Sequence, residues 1–218
     1  MTAAHVTRKA QEVVTLRPGT EIVARLAMPN VTGPVLTMRA SFEVTGCEIL
    51  EEDDRHDLAA LRVTPNPFAS ARPSGVHTTD DGRMTVNGMY AQASICRREP
   101  RDGEAIAVSG YPLEHPALIT TSGIVASAFS IDVAEREDPA FPGMTIPDVA
   151  DAYVADVAAN PGNSGGPVYL EESGEVIGVC VSFRIGTAEA EGIDPFSYNS
   201  GLTTVVPFRY AAEVLARH

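Results

Sequence analysis

The string Asn160–Pro167, NPGNSGGP, has the most direct chemical meaning in this chain. Gly162, Gly165 and Gly166 flank Ser164, so no side chain shields its hydroxyl and the backbone is free to take positive φ. An attacking hydroxyl needs that access, together with backbone N–H groups aimed at the oxyanion that develops on the attacked carbonyl. Taken alone, the string also reads as a glycine-rich hairpin turn with an incidental serine. A nucleophilic serine further needs a base and a group to orient that base. Five histidines are available, His5, His56, His77, His115 and His218, and Asp57 follows His56. A His-Asp dipeptide could suggest a metal phosphohydrolase, but no further His/Asp pairs line up on helices, so no metal is expected. His56 reads as a solvated neighbour of Asp57. His77 and His115 fall in loop-like sequence and take no role.

GNSGG also fits the G-x-S-x-G elbow of α/β-hydrolases, which requires a helix after the serine and a histidine downstream. Here the strand pattern Pro167–Leu170 follows, and the later histidine is the terminal His218, so that reading fails. The elements that must position these residues are short strands. Candidates are Glu21–Ala27, Cys47–Glu51, Leu58–Val63, Ala105–Ser109, Leu118–Thr121, Gly123–Ala126, Val154–Val157, Pro167–Leu170, Val176–Phe183 and Leu202–Val206. Eighteen glycines and 16 prolines punctuate them, which points to an all-β barrel or sandwich. Pro207–His218 is the one segment that reads helical, with Phe208, Ala211, Ala212 and Leu215 at helical spacing. Thr64–Asn87 and Ser130–Asp148 read as long loops, Arg97–Gly103 as a linker, and the acidic run Glu51–Asp54 as a solvated turn.

Composition narrows the function classes. The 218 residues carry 16 Lys+Arg against 29 Asp+Glu, a net charge of −13, the wrong sign for a protein that neutralises nucleic-acid phosphates. No apolar run reaches the roughly 18 residues of a membrane-spanning helix. Cys47, Cys96 and Cys180 lie far apart without a C-x-x-C pair, so zinc ribbons and redox dithiols are excluded, and three buried thiols are expected.

Three blocks in the order His, Asp, Ser carry a family resemblance. Thr2-Ala3-Ala4-His5-Val6, Asp57-Leu58-Ala59-Ala60-Leu61-Arg62-Val63 and Gly162-Asn163-Ser164-Gly165-Gly166-Pro167-Val168 resemble the catalytic blocks of trypsin-like, chymotrypsin-fold serine peptidases. Gly110-Tyr111-Pro112-Leu113 and Thr120–Val125, the run Asp156–Ser164, Gly174–Gly178 and Gly201–Pro207 resemble segments of the bacterial HtrA/Deg branch, without its PDZ domain. The resemblance implies two six-stranded Greek-key β-barrels and a short C-terminal helix. Residues 1–98 would form the first barrel with the His and Asp, 99–206 the second with the Ser, and 207–218 the helix.

It also implies roles. Ser164 would be the nucleophile, His5 the general base and acid, and Asp57 the residue that orients His5. The N–H groups of Gly162 and Ser164 would form the oxyanion hole. No cofactor or metal would be needed, and the partner would be a polypeptide substrate. Asn163 stands where animal trypsins carry the aspartate of zymogen activation, and Val6 where they place a disulfide cysteine. Ala158 would lie at the floor of the primary pocket, disfavouring basic side chains and suiting small or aliphatic ones. Val181-Ser182-Phe183 would pair with substrate backbone, followed by Arg184, which would narrow the pocket, attract an acidic side chain or face solvent.

The family places roughly two strands before the histidine, on the order of 20–30 residues at ordinary strand length. Met1 therefore reads as an internal methionine and the first barrel as lacking its first two strands, with His5 on a frayed end. Any signal peptide or anchor would lie upstream, which leaves localisation, membrane association and oligomeric state unread. Two function classes follow: a serine endopeptidase, and a non-catalytic two-barrel binding module. The 218-residue chain is expected to be weakly active or inactive on peptides with Val or Ala before the cut. Restoring two upstream strands is expected to raise the rate more than about tenfold, over ~1.4 kcal/mol of transition-state stabilisation. Equal rates for the two forms would remove the idea of a missing structural segment.

Overall fold

β-Branched runs broken by glycine and proline become strands along most of the chain. The computed structural model describes residues 1–10, 20–26, 36–42, 46–64, 76–78, 84–86, 93–115, 118–133, 136–137, 145–146, 149–190 and 193–218. The first half comprises β1 (Thr2–Ala3), α1 (Ala4–Ala10), β2 (Thr20–Leu26), β3 (Leu36–Phe42), β4 (Gly46–Asp53), β5 (Leu58–Thr64), β6 (Val76–Thr78) and β7 (Met84–Val86). The second comprises β8 (Ala105–Gly110), a 3₁₀ turn (Pro112–Glu114), β9 (Ile119–Val133), β10 (Arg136–Glu137), β11 (Thr145–Ile146), β12 (Val149–Asp156), β13 (Pro167–Leu170), β14 (Val176–Ala190), β15 (Ile193–Pro207) and α2 (Phe208–Ala216).

Six of these strands close into an antiparallel barrel in the order β12-β15-β14-β13-β8-β9, with β9 returning to β12. Closure pairs the sheet edges that an open sheet would leave bare. Ile106, Val108, Val125, Tyr153, Ala155, Val157, Val168, Leu170, Ile177, Cys180 and Val205 fill one core cluster. Their strand neighbours Val179, Val181 and Val206 belong to a second cluster, with Ala3, Leu58, Val133, Val149, Ala152 and Ala211. The period-2 alternation of a strand thus lets β14 and β15 serve two cores. Burial pushes the Cys180 thiol up to about 12, so it stays protonated and acts as a small apolar side chain. Cys180 and the half-buried Cys96 are both free thiols.

The chain divides into two compact units, one made of Met1–Val14, Ile49–Leu61 and Ser94–His218, the other of Thr15–Glu48 and Arg62–Ala93. In the second, β2 and β3 form a hairpin from Thr20↔Phe42 to Leu26↔Leu36, and β6 pairs with β7. β1, β5 and β4 form a three-stranded sheet in the order β1-β5-β4, with Thr2 opposite Ala59 and Ala3 opposite Leu58.

The structure differs from the sequence reading in several elements, and β12 begins at Val149, ahead of the expected Val154. Leu118–Thr121 and Gly123–Ala126 belong to one strand, because Gly123 marks a close approach rather than a break: a Cβ there would strike the carbonyl oxygen of Asp156. β14 and β15 run well past the expected Val176–Phe183 and Leu202–Val206, pairing as a ribbon from Ile185↔Asn199 to Ala190↔Ile193. A two-stranded ribbon buries neither face fully, so it leaves no apolar pattern to read. Within the two expected loops, β6 pairs with β7 and β10 with β11; Thr64 ends β5 and residues 130–133 end β9, and the rest of those stretches lies outside the described residues. Finally, α1 is a helix that periodicity does not announce, since Ala4–Ala10 has too few apolar residues to define a face. α2 matches the expected C-terminal helix, and Pro207 at φ −56° is pre-set to enter it.

Leu58 is fully buried in the second cluster, immediately after Asp57. Leu58→Ala is expected to destabilise the protein by about 2–5 kcal/mol, read as a lower urea midpoint. A midpoint within a few tenths of a kcal/mol of the parent would show that this cluster does not hold β1 and β5 in place.

Candidate active site

Asp57 is 1% exposed and is paired three times with the N-terminal segment. Its Oδ1 accepts the backbone N–H of His5 at 2.8 Å, its Oδ2 faces His5 Nδ1 at 2.6 Å, and its carbonyl accepts the N–H of Ala4 at 2.9 Å. The first amides of a helix have no partner within it. Asp57 supplies that partner from across the sheet, acting as a remote cap, and a carboxylate at a helix N-terminus is favoured electrostatically. A carboxylate oxygen only accepts, so Nδ1 carries the hydrogen and Nε2 is left with its lone pair. Asp57 holds φ at +51°, a left-handed conformation that costs a non-glycine residue about 1–3 kcal/mol unless its surroundings over-determine it.

These contacts correct the expectation of a frayed His5. Thr2 and Ala3 are paired with β5, Ala3 and Ala4 are fully buried, and the His5 side chain is 20% exposed. Burial and pairing, rather than position in the chain, decide how firmly a terminus is held.

Ser164 sits in the turn between β12 and β13. The Asn163 amide donates to Asn160 O at 2.9 Å, and Asn163 Oδ1 accepts the Asn160 amide at 2.9 Å. The amides of Gly165 and Gly166 donate to Cys180 O and Asn163 O at 2.7 and 2.9 Å. From the other side, the Tyr111 and Leu113 amides donate to the carbonyls of Gly162 and Pro161. The amides of Gly162 and Ser164 have no acceptor among the described residues. Gly162 lies at φ +100°, and a Cβ there would collide with Tyr111 O; one at Gly165 would collide with Thr2 Oγ1. The turn bearing Ser164 therefore packs directly against the strand that leads into His5. The Ser164 hydroxyl donates to Val181 O at 3.2 Å.

A buried, hydrogen-bonded His-Asp pair beside a glycine-lined serine turn, on a closed antiparallel barrel, narrows the choice of family. The trypsin-like peptidase domain family matches residues 1–179. The chain belongs to it. Among solved structures, the HtrA-type protease AlgW with a decapeptide shares the fold, with a TM-score of 0.50 and 20% identity over 99% of this chain and 46% of that one. The active form of the Rv3671c protease from M. tuberculosis has a TM-score of 0.49 and 19% identity, over 84% of this chain and 63% of that one. This chain spans less than two thirds of the length of either protease. No curated protein sequence matches it.

Within this trypsin-like domain, Ala158 is exposed just before the serine turn. Ser182 is buried, with its hydroxyl unpaired among the described residues. Phe183 packs against the barrel core and Arg184 is half-buried beside it. The Asn163 side-chain oxygen bonds within its own turn, and the residue is 2% exposed. His115 ends the 3₁₀ turn, its amide bonding Pro112 O; the side chains of Cys47 and His77 lie outside the described residues. Among the described residues no group of three or more His, Cys, Asp or Glu is arranged to hold a metal ion, and no helix is long and apolar enough to cross a membrane.

Two sequence readings are corrected here. His56 is not solvated but 7% exposed, with Nδ1 2.7 Å from Asp53 Oδ2 and its ring stacked on Tyr210. The acidic run is not a free turn either: Glu51 pairs with Arg217 and His218, Glu52 with Thr7 and Arg8, and Asp54 with Arg8. The hydrogen bond from Arg217 holds the Glu51 carboxyl below its ordinary value. That contribution is present above the unfolded carboxyl pKa and is lost as pH falls through the lowered one. The Asp-x-x-His spacing of Asp53 and His56 was the available signal, since an aspartate can cap the backbone two or three residues on.

Asp57→Ala is expected to strand the His5 amide and the His5 ring, while the Ala4 amide keeps its backbone carbonyl partner, destabilising the fold by about 1–3 kcal/mol in urea. An unchanged midpoint would mean that the β1–β5 pairing alone anchors this segment.

Proposed function

We propose that the chain is a serine endopeptidase whose catalytic residues are His5, Asp57 and Ser164, acting through an acyl-enzyme. The observation that carries this reading is the 2.6 Å bond between His5 Nδ1 and the buried Asp57 carboxylate, which leaves Nε2 as the free basic nitrogen. In this reading the Ser164 hydroxyl leaves the Val181 carbonyl when substrate binds and turns to His5 Nε2. The nitrogen takes its proton as Oγ bonds the scissile carbonyl carbon, and Asp57 stabilises the imidazolium that forms. The N–H groups of Gly162 and Ser164, which have no acceptor among the described residues, stabilise the oxyanion. Collapse breaks the C–N bond, with His5 returning the proton to the leaving amine. Water, activated by the same nitrogen, then hydrolyses the ester on Ser164.

Substrate is polypeptide in this reading. Ala158 leaves the primary pocket without a charge at its floor, which favours a small or aliphatic residue before the cut and disfavours Arg and Lys. Substrate backbone adds to β14 at Ser182 and Phe183, and Arg184 borders the same edge. A decapeptide bound to AlgW agrees with a polypeptide partner for this fold. The net charge of −13 argues against nucleic acid as a partner.

A second reading, a non-catalytic binding module of the same fold, is favoured by one observation: the resting Ser164 hydroxyl is bonded to Val181 O. A fluorophosphonate probe separates the two. Labelling is expected on Ser164, located by peptide mass spectrometry. Ser164→Ala is expected to abolish it, and His5→Ala to slow it by about 10²–10⁴-fold. Absence of label, together with no cleavage of peptides bearing Val or Ala before the cut, would establish the binding module instead.

A further inference from the structure

Asp57 has a left-handed backbone, and the residue before it is His56. His56 lies in the turn between β4 and β5, which Asp53 closes: its Oδ1 accepts the amides of Arg55 and His56 at 3.1 and 3.3 Å, and its Oδ2 meets His56 Nδ1 at 2.7 Å. The other face of the imidazole lies on the ring of Tyr210 in α2, centroids 3.7 Å apart and 13° from parallel. Tyr210 is itself fixed, since its hydroxyl donates to Asp151. Asp151 also accepts Arg209 Nη2 at 2.8 Å, and Arg209 donates to Tyr153 Oη at 2.9 Å and Glu99 at 2.6 Å. A further bond, from the Ala150 amide to Arg55 O at 3.0 Å, ties the same turn to β12.

The requirement at Asp57 is exacting. Two oxygens of one carboxylate must meet two different donors of His5, and a small rotation of the turn takes both off line. The bonds from Asp53 order the turn internally but do not orient it toward α2 or the barrel wall. The Ala150–Arg55 bond holds the turn to β12 two residues before Asp57, and the ring stack joins the residue next to Asp57 to α2, through a side chain locked by its own hydroxyl.

We propose that His56 is a positioning residue: through its stack on Tyr210 it sets the Asp57 carboxylate toward His5, so that the acid is correctly placed only while the C-terminal helix is docked. The proposal rests on the reading of His5, Asp57 and Ser164 as the catalytic residues, and deepens it. The group concerned is not the nucleophile, base or acid, and does not touch substrate.

The test uses four variants of the full chain, His56→Ala, His56→Phe, Tyr210→Ala and Tyr210→Phe, each checked for folding by circular dichroism and urea unfolding. Peptide hydrolysis and fluorophosphonate labelling are then measured. His56→Ala and Tyr210→Ala are expected to lower kcat about tenfold or more with KM little changed. The two Phe variants keep a flat ring in the stack and are expected to recover most of that loss. Equal kcat in His56→Ala and the parent would overturn the proposal. A loss in His56→Phe as large as in His56→Ala would overturn the stack as the link.

A second readout does not depend on turnover. The proton on His5 Nδ1, held between nitrogen and carboxylate, gives a strongly downfield ¹H NMR resonance, which is followed in the Ser164→Ala background. It is expected to persist in the Phe variants and to disappear in the Ala variants. Were the parent protein to take no label while the resonance still vanished in His56→Ala, the peptidase reading would fall and the positioning of Asp57 would stand. A resonance unchanged in both Ala variants would overturn the positioning role, whatever the activity.

Discussion

The structure around the candidate site depends on one buried carboxylate. Asp57 accepts two hydrogen bonds from His5, and its own carbonyl accepts a third from Ala4. A buried carboxylate without such partners would carry a prohibitive desolvation cost, so these bonds are a condition of its burial. The same bonds close the first turn of α1 and fix which nitrogen of His5 carries hydrogen. Folding of the N-terminal segment and the setting of the His5 tautomer are therefore a single event. The segment becomes ordered when its amides reach Asp57, and that contact leaves Nε2 as the free nitrogen.

The serine turn solves a different problem. A serine in the nucleophilic role proposed for Ser164 needs open space in front and rigid support behind, which is hard to combine in one short loop. Glycines provide the close approach: the backbone at Gly162 lies against Tyr111, and Gly165 against Thr2, where any side chain would collide. Rigidity comes from the barrel, through Gly165 and Gly166 bonded to β14 and through the carbonyls of Pro161 and Gly162 held by Leu113 and Tyr111. Between Asn160 and Gly166 the other amides that can donate, those of Asn160, Asn163, Gly165 and Gly166, are occupied, which sets apart the two unoccupied ones at Gly162 and Ser164 among the described residues.

Two cores sharing β14 and β15 connect these parts. One lies among the six barrel strands; the other packs Ala3, Leu58 and Ala211 against Val179, Val181 and Val206. Polar anchors surround the second. Arg209 is held by Asp151 and Glu99, which raise its pKa against the opposing effect of burial. Glu51 is held by Arg217 and His218. Individually exposed pairs of this kind contribute little. Together they tie α2 and the residues after it to β4, to β12 and to the segment before β8.

Local patterns in the sequence determined a good deal. Pro167–Leu170 has the strand boundaries read from composition, because a proline can begin a strand and a β-branched, aromatic and apolar run can fill it. The blocks around His5, Asp57 and Ser164 pointed to their family because their residue types and order answer a chemical need that sequence alone can display. Tertiary structure decided everything that depends on a partner distant in the chain. α1 exists because Asp57 caps it from 52 residues away, a contact that leaves no periodic signature. The ribbon of β14 and β15 continues because each supplies the other's hydrogen bonds, whatever its side chains. His56 looked like a solvent-facing neighbour of Asp57 because nothing near it in sequence is aromatic. Its partner, Tyr210, lies on the C-terminal helix, and only folding brings the two rings together.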